Sequence, residues 1–245
     1  MRIPRIYTQQ ALAEEQIIEL EAQASQHLAK ALRLKEGHPI ILFNGEGGEF
    51  KAEITSVSKK HVVAKCLQFA SIDIESPLQI HLVIALSKGD KMEMIVQKAT
   101  ELGVCSIIPV LSERSDVKLN AERREKKQRQ WQQIAISACE QSGRNYVPQV
   151  EAIQSLDSCL SEKQQELIAI FHTVGGEPLS RISKQQLERG LYCCFGSEGG
   201  FTEEEVKQVL SQGGKSLTLG HRILRAETAP IAVMGAAQAL WGDWL

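Results

Sequence analysis

Two hydrophobic patterns divide the chain. Up to about residue 72, short segments alternate apolar and polar positions, and turn-forming residues separate them. This alternation predicts a small antiparallel sheet or barrel, because successive residues of a strand face opposite sides of the sheet. Apolar and basic positions at helical spacing over Ser25–Leu34 predict a helix before that sheet. The strands predicted here are PIILFN (39–44), EFKAEITSV (49–57) and HVVAKCLQF (61–69).

After Pro77 the pattern changes to apolar strands that alternate with amphipathic helices. Such alternation is typical of an α/β domain around a mainly parallel sheet. We therefore predict a first domain over residues 1–72 and a second over residues 73–245. The strands predicted for the second domain are IHLVIAL (80–86), CSIIPVL (105–111), ELIAIFH (166–172), LYCCFG (191–196) and KSLTLG (215–220).

Local signals mark several helix ends in the second domain. Gly103 follows a helical run where a C-cap glycine belongs, and Asn120 stands where a long helix would begin. Thr202 and Glu205 have the spacing of a capping box, which predicts a helix directly after a glycine-rich loop. A last helix is predicted for Ile231–Trp244.

Composition excludes some classes of protein. The chain has 245 residues, 43% of them hydrophobic, and shows neither a signal peptide nor an apolar run long enough to span a membrane. We therefore expect a cytoplasmic protein. The six cysteines lack the CxxC pairs of zinc sites, so we read them as reduced core residues and expect no metal. The net charge is −2, so any RNA binding must come from a local basic surface.

Two loops of the second domain are candidates for chemistry. In open α/β sheets ligands bind beyond the carboxyl ends of the strands, which is where GSEGGF (196–201) and LGHRILRAETA (219–229) lie. Glycines in the first loop allow close backbone approach to a ligand, although a plain strand-to-helix turn would also use them. The chain has neither the GxxxxGK[ST] phosphate loop nor the GxGxxG turn. A pocket between these loops suits an adenosine better than a triphosphate.

These two loops and four other segments resemble the bacterial family of 16S ribosomal RNA uracil-N3 methyltransferases. The resemblance implies a PUA-like RNA-binding β-barrel followed by an α/β SPOUT methyltransferase domain with a C-terminal trefoil knot. It also implies S-adenosylmethionine as methyl donor, a homodimer, and 16S rRNA of the small ribosomal subunit as the substrate. The other segments are HLAKALRLKEGHPIILFNGEGGEFKAEI (27–54), KGDKMEMIVQKATELGV (88–104), ERSDVK (113–118) and WQQIAISACEQSGR (131–144).

The resemblance also implies a cofactor site. One departure is Ser197, where the family usually has proline, and we expect this loss to loosen the turn. The residues expected around the cofactor are His172, Gly196, Glu198, Gly199, Gly200, Leu219, Gly220, Ile223, Leu224 and Thr228.

Methylation at N3 of a uracil requires that the proton on N3 be removed. Glu198 is our candidate for a base, and Arg225 and Arg114 are candidates for cations that stabilise the anion at O2 or O4. Glu198 also has a plain structural interpretation, as a loop carboxylate that bonds neighbouring amides. A basic face that binds RNA phosphates is expected from Arg2, Arg5, Lys30, Arg33 and Lys35, although solubility alone would explain these charges as well.

Two alternatives stay open from the sequence. One is a non-catalytic RNA-binding or ribosome-assembly factor that keeps a degenerate cofactor fold, which the intact glycines at 196–201 argue against. The other is a SPOUT methyltransferase that acts on another RNA nucleotide, either at its ribose or at another base such as a tRNA guanine. A measurement of cofactor binding distinguishes the methyltransferase from the first alternative, and identification of the modified nucleotide distinguishes it from the second.

Overall fold

The chain forms two compact units in a computed structural model that describes residues 3–58, 60–115, 119–162, 166–172 and 175–244. The first unit comprises Met1–Glu75 and Cys139–Val147, and the second comprises Ser76–Ala138 and Pro148–Leu245. The sequence suggested one boundary after residue 72. Residues 139–147 fall far from it along the chain, so periodicity alone could not assign them to the first unit.

The first unit is a five-stranded sheet in the order β1-β3-β4-β5-β2. All neighbours in it are antiparallel except β1 and β3, which run parallel. Buried positions alternate along β3, where Ile40 and Leu42 face the core, and along β4, where Ala52 and Ile54 do. The predicted sheet is therefore confirmed. Its strands are Arg5–Tyr7 (β1), Ile17–Glu19 (β2), Pro39–Phe43 (β3), Glu49–Val57 (β4) and Val62–Ala70 (β5).

The helix predicted for Ser25–Leu34 is shifted in the structure. It begins at Ala22, is α-helical through Gln26 (α1), and continues as a π-helical turn over His27–Ala31. Ser25 is buried, where its hydroxyl donates to the carbonyl oxygen of Leu20 at 3.0 Å and accepts from the amide of Val62 at 3.1 Å. Ser25 therefore ties the middle of the helix to the sheet and does not cap its beginning.

The second unit is a sheet in the order β11-β13-β10-β12-β6-β7-β8, with β9 also paired to β7. Every pairing in it is parallel. Its strands are Ile80–Ala85 (β6), Ser106–Leu111 (β7), Gln149–Val150 (β8), Gln154–Ser155 (β9), Leu167–Phe171 (β10), Glu177–Pro178 (β11), Leu191–Phe195 (β12) and Lys215–Thr218 (β13).

The central strands β6 and β12 are almost entirely buried, because helices cover both faces of the sheet. The five predicted strands are therefore confirmed to within two residues at their ends, while the two-residue strands β8, β9 and β11 are additions. The helices of this unit are Lys91–Glu101 (α2), Ala121–Ser142 (α3), Leu156–Glu162 (α4), Glu203–Ser211 (α5) and Thr228–Trp241 (α6), with 3-10 turns at Leu179–Arg181 and Lys184–Leu187.

Helix ends follow the predicted signals in most places. The side chain of Asn120 accepts from the amide of Arg123 at 2.9 Å, and Gly103 adopts a φ of +85° directly after α2. The last helix, predicted for Ile231–Trp244, instead begins at Thr228 and ends at Trp241. Pro230 is compatible with this earlier beginning, because the first turn of a helix needs no amide donors. No described helix is long and apolar enough to cross a membrane.

Candidate active site

The glycine-rich loop that follows β12 folds into a tight turn. The amide of Gly200 donates to the carbonyl oxygen of Ser197 at 2.9 Å, and Gly200 has a φ of +68°. A Cβ atom added to Gly196 would lie 2.6 Å from the carbonyl carbon of Gly200, so this position accepts only glycine. The backbone of the loop therefore requires glycine at positions 196 and 200.

Arg114, in the segment that follows strand β7, holds this loop in place. Its Nη1 donates to the carbonyl oxygens of Gly199 at 3.0 Å and of Phe201 at 3.2 Å. In return the hydroxyl of Ser197, which is buried, donates to the carbonyl oxygen of Arg114 at 3.1 Å. Proline has no hydroxyl and could not make this bond. We expected serine at this position to loosen the turn, but Ser197 contributes a hydrogen bond to it.

A confirmed capping box fixes the far end of the loop. The hydroxyl of Thr202 accepts from the amide of Glu205 at 3.2 Å, and Oε2 of Glu205 accepts from the amide of Thr202 at 2.8 Å. The other carboxylate oxygen, Oε1, accepts from the amide of Glu113 at 2.9 Å. One buried side chain thus links α5 to the segment that carries Arg114.

The second predicted loop lies between β13 and α6. Gly220 has a φ of +92°, and its carbonyl oxygen accepts from the hydroxyl of Thr218 at 3.1 Å. The carbonyl oxygen of Arg225 accepts from the amide of Thr228 at 2.9 Å, which closes the turn into the helix. Between these points Ile223 is 83% exposed, a large apolar side chain on the surface of the loop.

The two loops enclose a cavity of about 640 Å³. Stacked rings of Phe171 and Phe195, 4.8 Å apart, form part of its wall. The cavity therefore combines apolar surfaces with backbone donors and acceptors, which is the usual make-up of a cofactor site. Among the described residues, no cluster of three or more His, Cys, Asp or Glu side chains could hold a metal ion.

Charged side chains of both signs face this cavity. Nζ of Lys91 lies 2.7 Å from Oε1 of Glu198 and 4.0 Å from Oε2 of Glu227. Burial alone would raise the pKa of Glu198, but the hydrogen bond and charge of Lys91, with backbone hydrogen bonds at Glu198 and Lys88, lower it below its usual value. Glu198 is therefore an ionised partner of Lys91.

The structure brings most of the predicted site residues together. Thr228 stands apart, because it is exposed at the first position of α6 and does not line the cavity. The predicted residues that do line it are Arg114, His172, Gly196, Glu198, Gly199, Gly200, Leu219, Gly220, Ile223, Leu224 and Arg225.

Sequence reasoning did not select Lys91, Glu227, Phe171 or Phe195 as site residues, although all four line the cavity. Lys91 belongs to the segment at 88–104, which contributed to the resemblance but supplied no predicted site residue. Its place at the carboxyl end of β6 was a usable signal, since all parallel strands end at the same edge of a sheet.

The predicted RNA-binding residues separate into two groups. Lys30, Arg33 and Lys35 are exposed on the first unit. The side chain of Arg5 is only 9% exposed, pairs with Glu49, and donates to Oδ1 of Asn145 at 2.6 Å. Arg5 therefore has a structural role and does not present its charge to a phosphate, which corrects the prediction for it. Arg2 lies outside the described residues.

Two family models, one for each part of this architecture, define the class of the protein as an RNA methyltransferase. A family model described as an RNA methyltransferase domain matches residues 74–238, and one described as an RNA methyltransferase PUA domain matches residues 20–67. The predicted PUA-like domain followed by a methyltransferase domain is thereby confirmed.

Similar proteins narrow this class to one family. Ribosomal RNA small subunit methyltransferase E of Bacillus subtilis is 36% identical over 94% of this chain and 92% of its own length. A structure of ribosomal RNA small subunit methyltransferase E from Neisseria gonorrhoeae bound to S-adenosylmethionine is 39% identical, with a TM-score of 0.95 over 100% of both chains. A Legionella pneumophila structure with bound S-adenosylmethionine is also 39% identical, with a TM-score of 0.94 over 99% of this chain and 100% of that one. The chain belongs to the ribosomal RNA small subunit methyltransferase E family.

Proposed function

We propose that this protein transfers a methyl group from S-adenosylmethionine to N3 of a uridine in 16S rRNA of the small ribosomal subunit. The observation that carries the proposal is the cavity of about 640 Å³ between the two loops after β12 and β13. Two structures with 39% identity hold S-adenosylmethionine. Because its substrate would be the ribosomal subunit, we also place the protein in the cytoplasm.

The residues present fit this cofactor. Glycines at 196, 199 and 200 and at 220 let the backbone approach an adenosine closely, and Phe171 and Phe195 supply an apolar wall. A ligand in the cavity would also cover part of the exposed side chain of Ile223, and the burial of apolar surface favours binding. When bound, S-adenosylmethionine supplies a methyl group that is already activated on its sulfonium.

The protein must then orient the uracil and stabilise it as the proton leaves N3. Arg225 is our candidate for the cation, because its side chain is 86% exposed beside the cavity and can fork two hydrogen bonds to a planar acceptor. Its guanidinium would stabilise the negative charge that develops on O2 or O4 as the N3 proton passes to solvent.

The contacts of Glu198 and Arg114 suggest positioning roles for both. A carboxylate that is hydrogen-bonded to Lys91 and has a lowered pKa is a poor acceptor for the weakly acidic proton on N3. We therefore propose that Glu198 holds Lys91 at the cavity. Arg114, whose Nη1 bonds two carbonyl oxygens of the glycine loop, would keep that loop in its binding conformation.

A basic face on the first unit is proposed to bind RNA phosphates. Lys30, Arg33 and Lys35 are exposed around the π-helical turn, and Arg33 has a φ of +53° that projects the chain out of the helix there. Contacts with phosphates carry affinity and orientation, while sequence is read elsewhere. Replacing one of these residues should therefore weaken binding to many RNAs alike and reduce its salt dependence.

We further propose a homodimer, as the resemblance implies. Exposed apolar side chains support it: Met94 on α2, Leu240 on α6 and Trp244 beyond it are between 44% and 55% exposed. Such residues are candidates for burial in an interface. Sedimentation equilibrium should report twice the mass of 27.1 kDa. The trefoil knot implied by the same resemblance stays a prediction.

The test is incubation of the protein with small ribosomal subunits that lack the modification and with methyl-labelled S-adenosylmethionine, followed by nucleoside analysis. Label in 3-methyluridine supports the proposal. Label in a different nucleoside would show that the protein methylates that nucleoside and not N3 of uridine. Cofactor binding without transfer to subunits, free rRNA or tRNA favours an RNA-binding factor. Glu204→Gln, at an exposed position of α5 outside the cavity, is a control that should remain fully active.

A further inference from the structure

Glu227 combines burial with the lack of a hydrogen bond at one of its carboxylate oxygens. Its side chain is 16% exposed, and its Oε2 is buried without a hydrogen bond from any described residue. The nearest cations, Nζ of Lys91 and Nη1 of Arg225, each lie 4.0 Å from one of its oxygens, which is beyond hydrogen-bond distance. A buried carboxylate oxygen without a donor is costly for a folded protein.

The neighbouring carboxylate shows why the donor must come from elsewhere. Lys91 is hydrogen-bonded to Glu198, which is 41% exposed and therefore also reaches water. Glu227 has neither advantage, although it lines the same cavity at the beginning of α6. A ligand that brings a donor into the cavity would satisfy Glu227 and leave the pair of Lys91 and Glu198 intact.

The charged side chains of the cavity indicate which kind of donor group on a ligand Glu227 would bind. Among the residues that line the cavity, the carboxylates are Glu198 and Glu227. The cationic side chains that line it are Lys91, Arg114, Arg222 and Arg225. A cationic group of a ligand in such a cavity needs a carboxylate oxygen that does not already accept a hydrogen bond, and Oε2 of Glu227 is such an oxygen among the described residues. S-adenosylmethionine carries an ammonium group with three donors, and a carboxylate accepts a charge-assisted hydrogen bond from such a group.

We infer that Glu227 is the acceptor for the α-ammonium group of S-adenosylmethionine and so determines selectivity for the amino-acid end of the cofactor. The inference rests on the proposed function, because it assigns a residue of the same cavity. It makes Glu227 a binding residue, whereas Arg225 next to it faces the uracil.

Calorimetric titration of Glu227→Gln with three ligands tests this inference. S-adenosylmethionine and S-adenosylhomocysteine both carry the ammonium group, and 5′-methylthioadenosine lacks it. The variant should lose affinity for the first two equally, by about 10- to 100-fold, because a hydrogen bond to a charged group is lost. Affinity for 5′-methylthioadenosine should be unchanged, which also shows that the variant is folded. Glu204→Gln is the matched control and should bind all three as the unaltered protein does.

Other outcomes overturn the inference in distinguishable ways. Loss of affinity for S-adenosylmethionine alone would assign Glu227 to the sulfonium, and equal loss for all three ligands would show a structural role. Unchanged binding with a reduced rate of methyl transfer would assign Glu227 to the RNA base. Failure of the unaltered protein to bind S-adenosylmethionine would instead contradict the proposed function.

Discussion

Two arginines of the first unit and two charged groups at the cavity of the second unit have opposite surroundings. In the first unit, Arg5 pairs with Glu49, and Arg144 donates to both carboxylate oxygens of Glu75 through its Nε at 3.0 Å. Both arginine side chains are less than 10% exposed. In the second unit, Arg225 is 86% exposed and the buried Oε2 of Glu227 accepts no hydrogen bond from the described residues.

The difference separates charges that hold a unit together from charges that remain available to a ligand. A buried ion pair loses its hydration whether or not a ligand binds, so breaking it costs stability. An exposed cation beside a cavity contributes little to folding and can respond to charge that develops during a reaction. Substitutions in the two units should therefore change different measured quantities.

The largest expected effect on stability is that of Arg144→Ala. It leaves Glu75 without its partner at a largely buried position, which should lower the free energy of unfolding by about 3 kcal/mol. For a chain of this size that corresponds to a fall in the melting temperature of roughly 6 to 12 °C. Differential scanning calorimetry measures it. Arg144→Lys keeps the charge without the forked geometry, so its melting temperature should lie between those of Arg144→Ala and the unaltered protein. Equal melting temperatures for these three proteins would show that the buried ion pair does not stabilise the first unit.

Arg225→Ala should produce the reverse result. Its melting temperature should change by the equivalent of less than about 0.5 kcal/mol, because the side chain is exposed. The rate of methyl transfer at saturating cofactor should fall by about 100-fold, the usual effect of removing one group that stabilises a developing oxyanion. Single-turnover kinetics with labelled cofactor checks this. A normal rate together with a lowered melting temperature would place Arg225 with the structural arginines.

Arg114 combines features of both groups, since it lines the cavity but binds the backbone of the glycine loop. Arg114→Met removes the hydrogen bonds to Gly199 and Phe201, and we expect cofactor affinity to fall by about 10-fold or more. Methyl transfer at saturating cofactor should fall less. Calorimetry measures the dissociation constant for the cofactor, and saturation kinetics measures the rate of methyl transfer at saturating cofactor. A normal dissociation constant with a much reduced rate would instead make Arg114 a direct stabiliser of the anion.

The distance along the chain between contacting residues explains what could be predicted from the sequence. Alternation and helical spacing are local, so the strands β6, β7, β10, β12 and β13 and the capping box of α5 were predictable. The bond from Ser197 to the carbonyl oxygen of Arg114 joins residues 83 positions apart, and Arg5 meets Asn145 across 140 positions. No local pattern reports such contacts. An arginine that binds RNA and one that is buried in an ion pair therefore look alike in the sequence, and the prediction for Arg5 was wrong for that reason.

The smallest expected effect concerns the pH dependence of Glu198. Because its pKa in the folded protein is lowered below the usual value of 4.5, its ionised form stabilises the fold above the unfolded-state pKa, and this contribution is lost as the pH falls through the folded-state value. The difference in melting temperature between Glu198→Gln and the unaltered protein should therefore be constant from about pH 6 to about pH 8 and shrink only in more acidic solution.

Thermal denaturation of both proteins over that range measures the difference, with Glu204→Gln as the exposed control. A difference that instead changes near neutral pH would mean that Glu198 takes up a proton there, as a general base for N3 would. Glu198 would then belong with the groups that take part in the reaction. A constant difference assigns it to the charges that hold the cavity in shape, together with the Lys91 side chain that it binds.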